Sequence, residues 1–358
     1  MSQKEKELFL ELCAFRNPNA KKIERLLKAN AATSDVLGRL FANRVAGIAY
    51  SVLQETKLLD LVDREFRNSL RNASLLNEKI NEDFLGCIKF LSTELDACGV
   101  PYALLKGAYL CHWYPKGCRT SNDIDVLIAP VDVGKVAARL KMAGFRQGHL
   151  KNGVFIPASR QEIIESKMTR GETVPFIKET KLPFMKYLEV DLNFSLDYKN
   201  SDDSTLKEML TRARVVTVGT AKIRTLDRLD FLIHLCSHLY KEATTVPWIR
   251  MKRDMTFYKF CDIYGFLREF TAVDLEMLIS RATDLSVQRE VLYCLSATQA
   301  FFGLWASENP PWLTQREDLF DDVIAPTEKR TYRYCEKNIR KRFFAKDRMS
   351  LLEVCEHE

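Results

Sequence analysis

Two aspartates separated by a single residue lie in an apolar segment of the chain. The segment, residues 119–128, reads Arg-Thr-Ser-Asn-Asp-Ile-Asp-Val-Leu-Ile. Side chains of a β-strand alternate between its two faces, so Asp123 and Asp125 are expected on one face and Ile124 on the other. Neighbouring carboxylates repel each other, and a divalent cation that prefers oxygen ligands, such as Mg²⁺, removes that repulsion. Phosphoryl and nucleotidyl transfer are the reactions that most often need this arrangement.

A third candidate acid occurs in a second alternating segment, residues 188–196. Its pattern places Glu189, Asp191 and Asn193 on one face of a strand. Transfer with two metal ions needs three carboxylates: one Mg²⁺ accompanies the triphosphate, and the other lowers the pKa of the attacking hydroxyl. We therefore predict Asp123, Asp125 and Asp191 as catalytic metal ligands for a pair of Mg²⁺ ions. Glu189 on the same face is the alternative to Asp191.

The elements that must position these acids follow from the hydrophobic periodicity. Helical spacing dominates residues 1–98 and again residues 226–358. Residues 99–225 alternate between strand and helix patterns, which predicts an α+β core framed by two helical regions. Within this middle segment, Tyr102–Leu105 is predicted as a strand that ends at Lys106 and Gly107.

Two histidines, one aspartate and a basic stretch in the C-terminal region could take part in chemistry, but their patterns favour structural or surface roles. His234 and His238 are four residues apart, a spacing that can bind zinc on a helix, but their leucine neighbours indicate a packed helix. Asp262 is interpreted in the same way, as an acid that packs between helices. The basic stretch Lys337–Arg348 is predicted to be a solvated helix face, with nucleic-acid contact as the minority interpretation.

Composition narrows the class of protein. The 358 residues carry a net charge of +6, which fits an anionic ligand such as a nucleotide but lacks the dense basic patch typical of nucleic-acid binding. The 10 cysteines are scattered without a Cys-x-x-Cys pair, which predicts reduced thiols and a cytoplasmic protein. The charged N-terminus and the short apolar runs predict neither a signal peptide nor a membrane span. The oligomeric state is left open.

The ordered motifs resemble those of a known superfamily. Leu105-Lys-Gly107, Arg119-x-Ser121-x-Asp123-x-Asp125 and Glu189-Val-Asp191-Leu192 resemble the nucleotidyltransferase superfamily that includes DNA polymerase beta. They are most similar to a family of bacterial uncharacterised nucleotidyltransferases. The resemblance runs in order from about residue 5 to 300 and implies an α+β fold with a mixed-sheet nucleotidyltransferase core.

The resemblance also implies a phosphate site, with two departures from the family pattern. The superfamily's Gly-Ser turn is Gly107-Ala108 here, so the hydroxyl is missing. Nucleotide binding is therefore assigned to Lys106, Gly107, Arg119 and Ser121, together with backbone amides at a helix start. Family members often have histidine where this chain has Asn193, which weakens any role for that residue.

The sequence thus predicts a Mg²⁺-dependent nucleotidyltransferase that moves a nucleoside monophosphate from an NTP and releases pyrophosphate. ATP binding is the working expectation, although the base is not identified. The acceptor is a small molecule, a peptide or a protein. The alternatives are a non-catalytic nucleotide- or partner-binding scaffold on the same fold and a phosphotransferase that uses the γ-phosphate.

Overall fold

The computed structural model of the chain describes residues 1–169, 171–196, 203–305, 310, 317–325 and 331–355. By their contacts, the residues form two compact units: Met1–Leu70 with Leu232–Glu358, and Arg71–Phe231. The division into 1–98, 99–225 and 226–358 that the sequence suggested stays a prediction about domains.

The N-terminal part of the chain is helical, as its periodicity predicts. Its first helix begins with a capping box: the Ser2 hydroxyl accepts from the Glu5 N–H, and the Glu5 carboxylate accepts from the Ser2 N–H. Asn19 caps the second helix through the Lys22 N–H. The helices are α1 (Gln3–Glu11), α2 (Ala20–Lys28), α3 (Ser34–Ala42), α4 (Ala46–Glu55) and α5 (Arg64–Asp96).

The middle of the chain contains a mixed sheet, which in the described residues has eight strands in the order β4-β3-β5-β6-β2-β1-β8-β7. Most neighbours are antiparallel, whereas β2–β6 and β1–β8 are parallel. The elements are β1 (Tyr102–Leu104), α6 (Gly107–Trp113), β2 (Asp123–Ile128), α7 (Val133–Met142), β3 (Arg146–Lys151), β4 (Val154–Pro157), α8 (Arg160–Thr169), β5 (Phe176–Glu179), β6 (Tyr187–Asn193), α9 (Asp203–Thr211), β7 (Arg214–Val218) and β8 (Ala221–Thr225).

One face of this sheet is packed against helices. Ile124 of β2 and Val190 of β6 are fully buried in a cluster that also holds Ile88 and Leu91 of α5. Burying an apolar side chain of this size stabilises the fold by about 1.5–3 kcal/mol. The alternation of each strand therefore fixes which residues face the helices and leaves the intervening polar residues on the opposite face.

The C-terminal part is helical but also contains strands. Its elements are α10 (Arg228–Ala243), α11 (Val246–Arg250), α12 (Tyr258–Leu267), α13 (Ala272–Asp284), α14 (Gln288–Phe302), β9 (Asp322–Val323), β10 (Thr331–Tyr334), α15 (Ile339–Phe344) and β11 (Leu352–Cys355). The three strands pair as an antiparallel sheet with β10 in the centre. The sequence did not predict this sheet. The mixed sheet framed by helical regions, which is the predicted α+β fold class, is confirmed.

The basic stretch Lys337–Arg348 is only partly a solvated face, so that prediction was wrong in part. Arg342 is 1% exposed, and its guanidinium lies 3.8 Å from the centre of the Tyr334 ring. Arg348 donates two hydrogen bonds, of 2.7 and 2.6 Å, to the fully buried carboxylate of Asp254. Burial raises the pKa of Asp254, and the Arg348 charge acts against that rise.

No helix in the described ranges has both the length and the apolar character needed to cross a membrane.

The buried pair makes a stability prediction. Arg348→Met should lower the free energy of unfolding by about 3–5 kcal/mol, because it leaves the buried Asp254 without the guanidinium that donates to it. Urea denaturation followed by circular dichroism measures the change. The matched control is Arg333→Met, which breaks a 3.3 Å pair with the exposed Glu353 and should cost less than about 1 kcal/mol. Equal losses in the two variants would contradict the role given to the buried pair.

Candidate active site

The candidate site is an array of four carboxylates on two neighbouring strands. In the parallel register of β2 and β6, Asp123 lies opposite Glu189 and Asp125 lies opposite Asp191. Residues directly opposite each other on paired strands share a face of the sheet, so all four acids lie on one face. Ile124 and its partner belong to the packed face. The structure therefore brings together the three predicted acids and adds Glu189 beside them.

The loop that leads into β2 is fixed by the long helix α5. The side-chain amide of Asn81 donates to the Arg119 carbonyl at 2.8 Å, and that of Asn77 donates to the Gly117 carbonyl at 2.9 Å. These bonds satisfy two carbonyls of the loop. They also set the point at which β2 begins, which is the position of Asp123.

Hydrogen bonds hold one oxygen of each β2 aspartate. The Ser121 hydroxyl donates to Oδ1 of Asp123 at 2.7 Å. The Lys106 ammonium donates to Oδ1 of Asp125 at 2.8 Å, and the Asn193 amide donates to the same oxygen at 3.3 Å. These bonds orient the two carboxylates through one oxygen of each.

The two acids on β6 have a different environment. Among the described residues, no donor is hydrogen-bonded to the carboxylate of Asp191 or of Glu189. Burial, followed by the charges of Asp125 and Asp123, raises the pKa of Asp191 well above its ordinary value. Burial, followed by the charge of Asp123, also raises the pKa of Glu189. Within the described residues, burial and the neighbouring negative charges therefore outweigh any opposing charge at these two carboxylates.

This donor set suits a hard divalent cation. Neighbouring strands lie about 4.8 Å apart, so Asp125 and Asp191 can reach a common ion at oxygen distances of about 2.1 Å. In their present rotamers, no three His, Cys, Asp or Glu side chains within the described ranges converge as metal ligands. Asp125 directs Oδ1 to Lys106, so an ion at that oxygen must displace the ammonium. The chemical fit lies in the oxygen ligands and their uncompensated charge.

The turn between β1 and α6 lies close to the acids. A Cβ on Gly107 would be 2.3 Å from Cβ of Ser121, so glycine is required there by the close approach of the β2 loop. The Ala108 amide donates to the Leu105 carbonyl at 3.1 Å. That amide is therefore used within the turn, and phosphate binding at this helix start stays a prediction.

The predicted nucleotide-binding residues fall into two groups. Lys106, Gly107 and Ser121 are in direct contact with the acid array or with the loop that carries it. Arg119 is 6% exposed, and its guanidinium donates to the carbonyl of Thr120. The assignment of all four to nucleotide binding remains a prediction.

Two residues of the site were missed or underrated. Asn193 was discounted because the family often has histidine there, yet its amide binds Asp125 and the Asp191 carbonyl. Its position on the acidic face was visible in the strand alternation. Glu172 forms an isolated bridge with Asn193, and its charge adds to the rise in the pKa of Asp191. No sequence pattern marked Glu172.

His234, His238 and Asp262 belong to the unit formed by Met1–Leu70 and Leu232–Glu358. His234 is 5% exposed, and Asp262 is 2% exposed. His238 lies with its Nε2 3.7 Å from a carboxylate oxygen of Glu242. The burial agrees with the packed-helix interpretation of His234 and Asp262.

One cavity in the described part of the chain lies away from the acids. It has a volume of about 770 Å³ and is lined by residues that include Asp96, Tyr102, Lys207 and Arg224. Tyr102 begins β1, whereas Lys106 follows the end of that strand. The cavity therefore opens near the opposite end of β1, and the chemistry of the acids, not cavity size, identifies the candidate site.

The mixed sheet and its acid array define a nucleotidyltransferase-like core. Residues 30–303 match a family model described as uncharacterised nucleotidyltransferase, and the chain therefore belongs to this family. The resemblance inferred from the motifs is thus confirmed.

Two individual proteins are similar to the chain. A 3-deoxy-manno-octulosonate cytidylyltransferase from Fusobacterium nucleatum subsp. nucleatum is 23% identical over 239 residues, which cover 63% of this chain and 93% of that protein. Among solved structures, an antigenic nucleotidyltransferase-like protein from Paracoccidioides brasiliensis is 15% identical with a TM-score of 0.32, covering 58% of this chain and 92% of that one.

The close contact between Gly107 and Ser121 can be tested by measuring the stability of a variant. Gly107→Ala should lower the free energy of unfolding by about 1–3 kcal/mol, because the added methyl group collides with Ser121. Gly134→Ala in α7 is the matched control: its Cβ meets nothing within 4 Å, so it should be neutral or stabilising by up to about 1 kcal/mol. Thermal denaturation of the two variants measures both effects. A Gly107→Ala protein as stable as the control would show that the turn and the loop are not in close contact.

The raised pKa of Asp191 predicts a stability that depends on pH in chelating buffer. Its folded pKa lies above the ordinary 3.8, so the stabilisation from its bound proton is present below that value and is lost as pH rises through the folded pKa. Asp191→Asn should therefore be more stable than wild type at pH 8, by about 1–2 kcal/mol. The advantage should shrink toward pH 4. Urea denaturation with EDTA at both pH values measures it, and an equal difference at both would contradict the assigned cause.

Proposed function

We propose that this protein is a Mg²⁺-dependent nucleotidyltransferase that transfers a nucleoside monophosphate from an NTP to an acceptor and releases pyrophosphate. The observation that supports this most directly is the register that places Asp125 opposite Asp191 and Asp123 opposite Glu189. Four carboxylates on one face of a sheet with one paired lysine are costly in a protein that does not use them. Family membership supports nucleotidyl transfer in general.

Each residue has a role in this proposal. Asp123, Asp125 and Asp191 would hold Mg²⁺, which supplies charge neutralisation at the phosphates and a lowered pKa for the attacking hydroxyl. Ser121 and Asn193 keep the aspartates oriented through the hydrogen bonds of 2.7 and 3.3 Å. The acceptor hydroxyl would give its proton to a carboxylate of the array, and its oxygen would form a bond to the α-phosphorus. The bond from that phosphorus to the bridging oxygen breaks, and pyrophosphate leaves.

The identity of the NTP and of the acceptor is part of the proposal. The similar protein from Fusobacterium nucleatum subsp. nucleatum has a name that denotes a cytidylyltransferase acting on 3-deoxy-manno-octulosonate. We therefore include CTP beside ATP as a first candidate donor, and a sugar-acid hydroxyl as one candidate acceptor. Small molecules, peptides and proteins all remain within the proposal.

We also place the protein in the cytoplasm. All ten cysteines are thiols, and eight of them, including Cys87, Cys236 and Cys294, are buried. Burial and the absence of any disulfide among these ten residues agree with a reducing compartment.

The central experiment is label transfer. The protein is incubated with Mg²⁺, a cell extract and each of four NTPs that carry a label on the α-phosphate. The expected result is label on an acceptor together with release of unlabelled pyrophosphate, both lost on chelation. A γ-phosphoryl transferase would instead leave the α-label in a nucleoside diphosphate, and a scaffold would yield neither product.

Substitution of the acids tests the assignment of the site. Asp123→Asn and Asp125→Asn should each reduce transfer at least about a hundredfold, a barrier increase of about 2.7 kcal/mol, because an amide cannot supply the charge that the metal requires. Circular dichroism should show intact folding. Asp132→Asn, a change of the same type just beyond β2, is the control and should retain wild-type transfer. If either site variant kept more than about a tenth of the activity, the metal assignment would be wrong.

A further inference from the structure

An ion pair joins a lysine to the acid array. The Lys106 ammonium lies 2.8 Å from Oδ1 of Asp125, and the two side chains are only 18% and 10% exposed. Four carboxylates therefore share a face of the sheet with a bound ammonium group whose charge does not balance theirs. A divalent ion at this face would compete with Lys106 for the same carboxylate.

The backbone of Lys106 is in an unfavourable conformation. Its φ is +42° and its ψ is −114°, a region that residues with a Cβ rarely adopt and that costs about 1–3 kcal/mol. The turn is held on both sides: the Leu105 amide donates to the Asp125 carbonyl at 3.0 Å, and the Leu110 amide donates to the Lys106 carbonyl at 2.9 Å. Glycine would relieve the strain, so the lysine side chain itself has a use that outweighs it.

We propose that Lys106 is an exchangeable counter-ion of the acid array, an inference that rests on the proposed function. In the protein without metal, its ammonium holds Oδ1 of Asp125. When a divalent cation binds Asp125, the ammonium gives up this carboxylate and donates to the anionic phosphate chain. Asn193 is neutral and keeps its hydrogen bond to Asp125, so the carboxylate stays in place during the exchange.

The exchange couples two binding events. Metal binding must displace Lys106, which weakens the affinity for the bare ion. A phosphate chain that accepts hydrogen bonds from the released ammonium restores the lost affinity. Metal and triphosphate therefore bind more tightly together than apart. Removing the ammonium should therefore change the two affinities in opposite directions.

The test uses Lys106→Met and direct binding measurements. Mn²⁺ is titrated into the full-length protein, and free Mn²⁺ is followed by electron paramagnetic resonance. Binding of the preformed complex of Mn²⁺ with inorganic tripolyphosphate is measured by calorimetry. Lys106→Met should bind Mn²⁺ alone about tenfold more tightly and the tripolyphosphate complex about tenfold more weakly, as expected for one charge removed at close range.

Two further variants make the result specific. Lys222→Met removes an equal charge from an exposed position on β8 and should change either affinity less than twofold, because screening weakens distant exposed charges. Lys106→Gly removes the same ammonium and relieves the backbone strain, so it should give the binding pattern of Lys106→Met even if the methionine variant folds poorly.

Each outcome decides the matter. Opposite changes in Lys106→Met or Lys106→Gly, absent in Lys222→Met, support the exchange. Weaker or unchanged Mn²⁺ binding would overturn it, as would changes of equal size in Lys222→Met. If wild type bound no Mn²⁺, or bound it equally after Asp191→Asn, the proposed function itself would fail. Mn²⁺ binding that depends on Asp191 but not on Lys106 would reject this inference alone.

Discussion

The parallel register between β2 and β6 is the constraint on which the rest of the site depends. It places acids opposite acids, Asp123 beside Glu189 and Asp125 beside Asp191. Like charges at opposed positions destabilise a sheet, so the register is not selected by its acidic face. It is selected by the buried face, since a slip of one residue would turn Ile124 out of the core and an acid into it. The packing of the apolar face of each strand therefore forces the acids on the other face close together, despite their repulsion.

The neighbouring elements limit that repulsion in different ways. Asn81 of α5 fixes the loop before β2, so Ser121 can reach Asp123. The strained turn after β1 directs Lys106 to Asp125. The β6 acids receive no comparable donor from the described residues. Burial and the charges of Asp125 and Asp123 raise the pKa of Asp191. The β2 acids thus have hydrogen-bond donors, and the β6 acids have none among the described residues. A cation between the two strands would therefore stabilise the β6 acids most.

Much of this could be predicted from local patterns. Alternation identified both acidic strands and the shared face of Glu189, Asp191 and Asn193, because side-chain direction in a strand depends only on the residue's position. That β6 lies parallel to β2 follows from tertiary pairing across more than sixty residues and was not predictable from spacing. The role of Asn193 was missed because the family often has histidine at this position. Its place on the acidic face of the strand was the better guide.

The misses in the C-terminal part have physical reasons as well. The strands β9, β10 and β11 have two to four residues each, too few for alternation to be distinguished from helix periodicity. Arg342 and Arg348 were interpreted as solvated because charge normally implies exposure. Their burial depends on tertiary partners. Arg348 donates to Asp254, 94 residues away in the sequence, and Arg342 donates to the Phe320 carbonyl, 22 residues away. A buried arginine is stable only through such partners, so sequence composition alone cannot distinguish it from a surface one.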